Sequence, residues 1–124
     1  MVLIDSSSWI HWVRPNGDKA VSQRVIAALR SGDACWCPII RLELWNGAGG
    51  DQEKKILRDL ERLVPELPID VGVWNAAFGL AKKARAAGVT TPAADVLIAA
   101  CARHHGAALE HADSDFDLLD TLSR

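Results

Sequence analysis

Short apolar runs of strand length alternate along this chain with longer segments whose apolar residues recur at helical spacing. No other feature narrows the fold so far. The runs are "MVLID" at the start, "ACWCP" at 34–38, "AALEHA" at 107–112 and a weaker candidate, "ELPID", at 66–70. Between them, "SSSWIHWV" begins a helix with a serine as N-cap, and "RPNG" breaks it. In "DKAVSQRVIAALRSG", Val21, Val25, Ala28 and Leu29 share a face, Asp18 caps the start and Gly32 lies past the end. "IIRLELWNG" reads as a helix closed by Gly47. "DQEKKILRDLERLV" carries a stripe of Ile56, Leu60 and Leu63. "VGVWNAAFGLAKKARAAG" carries one of Val73, Ala76, Ala77, Leu80, Ala81 and Ala84. After a turn at "TTP", a helix runs from about Ala93 to His104, and "SDFDLLDTL" forms a last short helix. Strands alternating with helices predict an α/β fold with a central, mainly parallel sheet flanked by helices.

The length of 124 residues suits a single domain, 1–124, with no linker or repeat to divide it. Apolar residues make up 49% of the chain, enough for a packed core. A formal charge of −2, from 14 basic and 16 acidic side chains, gives no overall basic field, so any nucleic-acid contact has to be local. "MVLI" is too short for a membrane span and no basic residue precedes it, so neither an anchor nor a signal peptide is expected. Cys35 and Cys37 in "ACWC" lack the spacing of a redox motif or a zinc knuckle. With Cys101 they read as reduced core cysteines of a cytoplasmic protein.

Four acids stand in apolar company. Asp5 ends the first strand. Glu43 lies between Leu42 and Leu44, on the side of Ile39 and Ile40 if the segment is helical. Asp95 lies in the first turn of an alanine-rich helix, and Asp113 follows the strand "AALEHA". Each has a plain alternative: Asp5 and Asp113 as helix caps, Asp95 as a first-turn acid, Glu43 as a partly exposed side chain. Together they point elsewhere, because close buried carboxylates repel one another and raise their own pKa values. A divalent cation removes that conflict, and all-oxygen ligands suit Mg²⁺ or Mn²⁺. In open α/β sheets the strand carboxyl ends are also where ligand sites lie.

These residues, in this order, resemble the PIN-domain nucleases, most closely the VapC-type toxins of bacterial toxin–antitoxin pairs. "LIDSSSWI" is similar to the family's opening strand with its first acid, Asp5, and a nearby hydroxyl residue. "IIRLELWNG" resembles the second block, with Glu43. "TTPAADVLIAACARHHGAALEHADSDF" resembles the third and fourth blocks run together, with Asp95 and Asp113. The resemblance implies a PIN-like three-layer fold and a metal-dependent endoribonuclease. It also implies a homodimer and inhibition by a cognate antitoxin. The chain departs from the family at "HA" before Asp113, where a threonine or arginine often stands, and a fifth strand after "FDLLDTLSR" would be short or missing.

Cutting a phosphodiester needs no nucleophilic side chain when a metal binds the phosphate, activates water and steadies the leaving oxygen. The expected ligands are Asp5, Asp95 and Asp113, with Glu43 as a ligand or as the group that orients the water. Ser6 or Ser7 would position the first acid or a water. In "ADSDFDLLD", Asp115 would reach the metal through a water. Phe116 and Leu118 would pack inward, turning Asp117 to solvent, with Asp120 further out.

A receiver-type phosphoacceptor domain would need an acid pair after the first strand and a lysine near the last. The chain offers "IDSSS" and no lysine after Lys83. A phosphatase with an aspartate nucleophile would need a second Asp where Ser7 stands. A zinc site from Cys101, His104, His105 and His111 is disfavoured by the adjacent histidines, which suit a helix end better. A non-catalytic interaction module on the same fold is the remaining alternative, and the intact acid set argues against it. Trp9, Trp12 and Trp45 read as core, dimer face or a stacking surface for bases. "KKAR", Lys82 to Arg85, reads as a solvated helix face or a phosphate contact.

Overall fold

The computed structural model describes residues 1–122; Ser123 and Arg124, the last two residues of the expected domain, lie outside the described part. Ten elements follow in the order β1 (Val2–Ile4), α1 (Ser6–Val13), α2 (Lys19–Ser31), β2 (Ala34–Cys35), α3 (Pro38–Gly47), α4 (Asp51–Leu63), α5 (Val71–Ala86), α6 (Ala93–His104), β3 (Ala108–Glu110) and α7 (Ser114–Asp120). The sheet has the order β2-β1-β3, and both pairings are parallel. Val2 lies opposite Ala34 on one side and Ala108 on the other. The chain thus leaves β1 toward one neighbour and later returns on the other side, which makes the carboxyl end of β1 the topological switch point. Leu3, Ile4, Ala34 and Cys35 are buried, as expected of strands covered on both faces.

Local chemistry sets most element ends. Asp18 caps α2 by accepting from the Val21 amide at 3.0 Å. Gly32 closes that helix at φ 76°, and its N–H bonds back to Leu29 O. Pro38 opens α3 as its first residue, a position where proline loses no hydrogen bond. The N-cap of α1 is Asp5 rather than a serine, because its carboxylate accepts from the Ser7 amide while its backbone is still extended. Gly47 lies inside α3, with Ala48 as the cap.

Five expectations about strands and stripes change. "ELPID" makes only one bridge, Trp36 to Glu66, since Pro68 removes a ladder donor. The strand in "AALEHA" is confined to Ala108–Glu110, and no described strand follows α7. On α4 the buried stripe is Leu57, Leu60 and then Val64, while Leu63 is 74% exposed. Both stripes fit helical spacing, and packing against the core selects the first. On α5, Val73, Ala77, Leu80 and Ala84 are buried; Ala81 is exposed and Ala76 half-buried. On α7, Phe116 is buried but Leu118 is exposed.

Trp9 and Trp36 lie in the core with edge-on rings 6.1 Å apart, and Trp12 and Trp45 pack against it from outside. The three cysteines are free and buried, and the Cys37 and Cys101 thiols hydrogen-bond one another. No described helix is long and apolar enough to cross a membrane.

Leu57 and Leu63 of α4 give a direct test. Leu57→Ala is expected to cost about 2–5 kcal/mol of unfolding free energy by leaving a cavity. Leu63→Ala should change it by less than about 0.5 kcal/mol. Urea unfolding of both variants measures this, and equal losses would contradict the packing of α4.

Candidate metal centre

Four elements deliver acids to the carboxyl edge of the sheet. Asp5 follows β1, Glu43 sits in α3, Asp95 in the first turn of α6, and Asp113 and Asp115 lie at the start of α7. Asp95, Asp113 and Asp115 each offer a carboxylate oxygen, and the three oxygens lie within 4.8 Å of one another. Asp5, 3% exposed, and Glu43 stand outside that group of three, yet their charges reach Asp95.

The plain readings of these acids hold at the same time as their clustering. Asp5 Oδ2 accepts from the Ser7 amide at 3.0 Å and the Ser7 hydroxyl at 2.6 Å. Asp113 caps α7 through Oδ1, which accepts from the Asp115 amide at 3.0 Å. An N-cap holds its side chain in one place and sets a negative charge at the positive end of a helix. Capping is therefore how the fold aims these carboxylates. Ser7 also joins the two halves of the site: the Ala112 amide donates to its hydroxyl oxygen at 3.0 Å, one residue before Asp113. Ser6 donates to Glu43 Oε1 at 3.2 Å.

Two acids carry the electrostatic cost. Burial first, then the charges of Asp113, Asp5, Asp115 and Glu43, push Asp95 from 3.8 up to about 7. Burial and the Asp5 charge also raise Glu43, against the Ser6 hydrogen bond. The donors present are all oxygen, the set that hard divalent cations take.

The remaining candidates fall elsewhere. Asp117 is exposed, with Oδ1 3.6 Å from His111 Nε2. His111 packs on Phe116, and its Nδ1 accepts from the Asp113 amide at 3.3 Å. His104 lies 3.7 Å from Asp70, and His105 Nε2 lies 2.8 Å from Pro68 O, so the histidines serve the ends of α5 and α6 rather than a zinc site. Glu110, which the sequence reading passed over, is half-buried at the end of β3 and accepts from Ser8 and Arg24. It carries the same signal as Asp5, an acid closing an apolar strand.

The PIN domain family model matches residues 2–122. Ribonuclease VapC11 of Mycobacterium tuberculosis is 36% identical to the chain over 126 residues, spanning 99% of the chain and 94% of that protein. Among solved structures, FitAcB from Neisseria gonorrhoeae superposes with a TM-score of 0.78 at 24% identity, over 97% of this chain and 94% of that one. VapBC2 from Rickettsia felis, bound to a DNA fragment from their promoter, gives 0.70 at 11% identity, over 88% and 85%. At those identities the two structures speak for the fold alone. A parallel sheet with acids gathered at its switch point, a family model spanning nearly every residue and a full-length ribonuclease relative agree, and the chain belongs to the PIN domain family as a ribonuclease of the VapC kind.

Proposed function

We propose that this ribonuclease is the toxin of a toxin–antitoxin pair, and that as one PIN-like domain it cuts RNA at a divalent ion, Mg²⁺ or Mn²⁺. Asp95, Asp113 and Asp115 would hold the ion, with Asp5 as a further ligand directly or through water, and Glu43 beside them. The observation that carries this reading is the group of three carboxylate oxygens within 4.8 Å, one of them from a buried Asp95 whose pKa is pushed up to about 7. That is the electrostatics of a site built for a positive charge. A bound divalent ion supplies charge for a phosphodiester oxygen and for a hydrolytic water.

The chain's own groups do the rest. Ser7 occupies Asp5 Oδ2 and leaves Oδ1 for the site. The Asp115 amide fixes Asp113. Glu43, held above the usual carboxylate range and turned by Ser6, is suited to orient a water and take its proton.

The partner is a cognate antitoxin that covers the acids and inserts an arginine, whose guanidinium matches carboxylates in bidentate fashion. An apolar slot between α1, α3 and α4, lined by Ile10, Val13, Leu44 and Leu57 and bordered by Glu43, offers such a segment a foothold. A second copy of the chain would cover the exposed Trp74 and Phe78, which flank a groove of about 530 Å³ along α5 and α6. Three free, buried cysteines suit a cytoplasmic protein.

Purified protein incubated with mixed cellular RNA should cut it in Mg²⁺ or Mn²⁺ and not in chelator. Cleavage that survives exhaustive chelation overturns the metal mechanism. Within the acid run, Asp113→Asn should lower cleavage by about 100-fold or more. It should also raise the melting temperature of the metal-free protein, since the amide oxygen can still cap α7 while the repulsion is gone. Asp115→Asn should give a partial loss, and the exposed Asp117→Asn little change. A fully active Asp113→Asn would show that the fourth acid is misplaced.

Proton linkage gives an independent check. Asp95 binds its proton more tightly folded than unfolded, so between about pH 4 and pH 7 the folded state holds more protons and stability falls as pH rises. The metal-free protein should therefore melt lower at about pH 8 than at about pH 5. Asp95→Asn should remove much of that fall, and Mn²⁺ should reverse it at the higher pH. A melting temperature that rises over this range in the metal-free protein would contradict the charge crowding.

A further inference from the structure

Glu110 is a half-buried acid that neither the proposed ion site nor the chemistry uses. Its side chain is 13% exposed, and its two oxygens point at different helices. Oε2 accepts from the Ser8 hydroxyl of α1 at 2.7 Å, and Oε1 accepts from Arg24 Nε of α2 at 2.7 Å. Ser8 is itself fully buried. The Glu110 carbonyl meanwhile accepts from the Asp5 amide at 2.9 Å. One residue thus ties the end of β3 to the cap of α1, to the body of α1 and to α2.

We infer that Glu110, braced by Ser8 and Arg24, is a positioning residue that fixes Asp5 relative to Asp113. The placement in the chain carries this: Ser8 lies three residues after Asp5, and Asp113 three residues after Glu110. The two acids follow separate strands, and each caps the helix that leads away. Ser7, through the Ala112 amide, links them on one side, and the Ser8–Glu110 bond links the same two segments on the other. Two links a residue apart resist a rotation of α1 that either alone would allow. Arg24 matches the Glu110 charge, so the brace adds no net negative charge to the crowded edge. A charge-assisted bond on each oxygen also holds the carboxylate more rigidly than neutral partners would. Glu110 spends an oxygen on each helix partner and stands outside the group of three acids.

The inference rests on the metal reading above, and its test keeps the two apart. Mn²⁺ affinity would be measured by titration calorimetry on RNA-free wild type, Glu110→Ala, Glu110→Gln, Ser8→Ala and Arg24→Ala. Urea stability, and kcat and KM for RNA at saturating Mn²⁺, would accompany it. Glu110→Ala should weaken Mn²⁺ about 10-fold or more, the effect usual for residues that orient metal ligands. It should also lower kcat while leaving KM within about twofold, as expected of a residue that orients the ligands rather than holding substrate. Glu110→Gln, which can still accept from Ser8, should lose less. In the Glu110→Ala background, Ser8→Ala and Arg24→Ala should add nothing, as expected of one coupled unit. Where Glu110→Ala does not fold, Arg24→Ala on the half-exposed side of the brace decides, with a severalfold loss of Mn²⁺ affinity expected. Folded variants that lose stability yet bind Mn²⁺ like wild type would overturn the brace alone. A wild type that binds no Mn²⁺ would overturn the metal reading, and this inference with it.

Discussion

Carboxylates gathered at the carboxyl edge of a short parallel sheet repel one another, and the arrangement of this chain follows from how that repulsion is contained. Asp5, Asp113 and Glu43 each receive a hydrogen bond from a serine or a backbone amide of a neighbouring helix start. Such bonds favour the charged form and fix its direction. Asp95 has no comparable relief: burial and four neighbouring charges all push the same way. The unrelieved cost collects on the one buried acid that faces all the others. An arrangement stabilised only in part by its own donors is one in which a cation can supply the rest.

The same edge explains why the strands can be so short. β1 has three residues and β2 two, yet both are covered on two faces by helices that tie back to the strand ends. The Asp5 amide bonds to Glu110 O, and the Val2 amide to Asp33 O. Length that a longer ladder would supply is replaced by caps and side-chain braces at its ends. The residues that terminate the strands are therefore the residues that build the site.

This overlap decides what was legible in the sequence. The order of elements and the placement of Asp5, Asp95 and Asp113 at helix starts could be read because caps and apolar periodicity are local signals. Which of two α4 stripes packs inward could not, since Leu57 and Leu63 fit the period equally and only the tertiary neighbour chooses. The weak strand candidate from Glu66 to Asp70 shrinks to the single bridge at Glu66, because its apolar residues suit a strand but Pro68 offers no ladder donor. Glu110 was passed over although it closes β3 as Asp5 closes β1. Its partners, Ser8 and Arg24, lie 102 and 86 residues away in the chain, so no local pattern announces them.

The last constraint on the site lies at the far end of two helices. Asp95 is in the first turn of α6, and Asp113 and Asp115 open α7, so both helix N-termini converge on the acids. The other ends converge as well. Arg103, in the last turn of α6, donates through Nη2 to Leu119 O at 2.9 Å and to Leu122 O at 3.4 Å. Leu119 lies in the last turn of α7 and Leu122 just past its end, so the guanidinium sits at the carbonyl end of that helix. One guanidinium thus meets the negative ends of two helix dipoles while their positive ends face the carboxylates. Phe116 and Leu119, both buried, lock α7 in this alignment. The spacing of the three acids is in this way set from both ends of the α6–α7 pair, by a cation at one end and by the apolar packing between them.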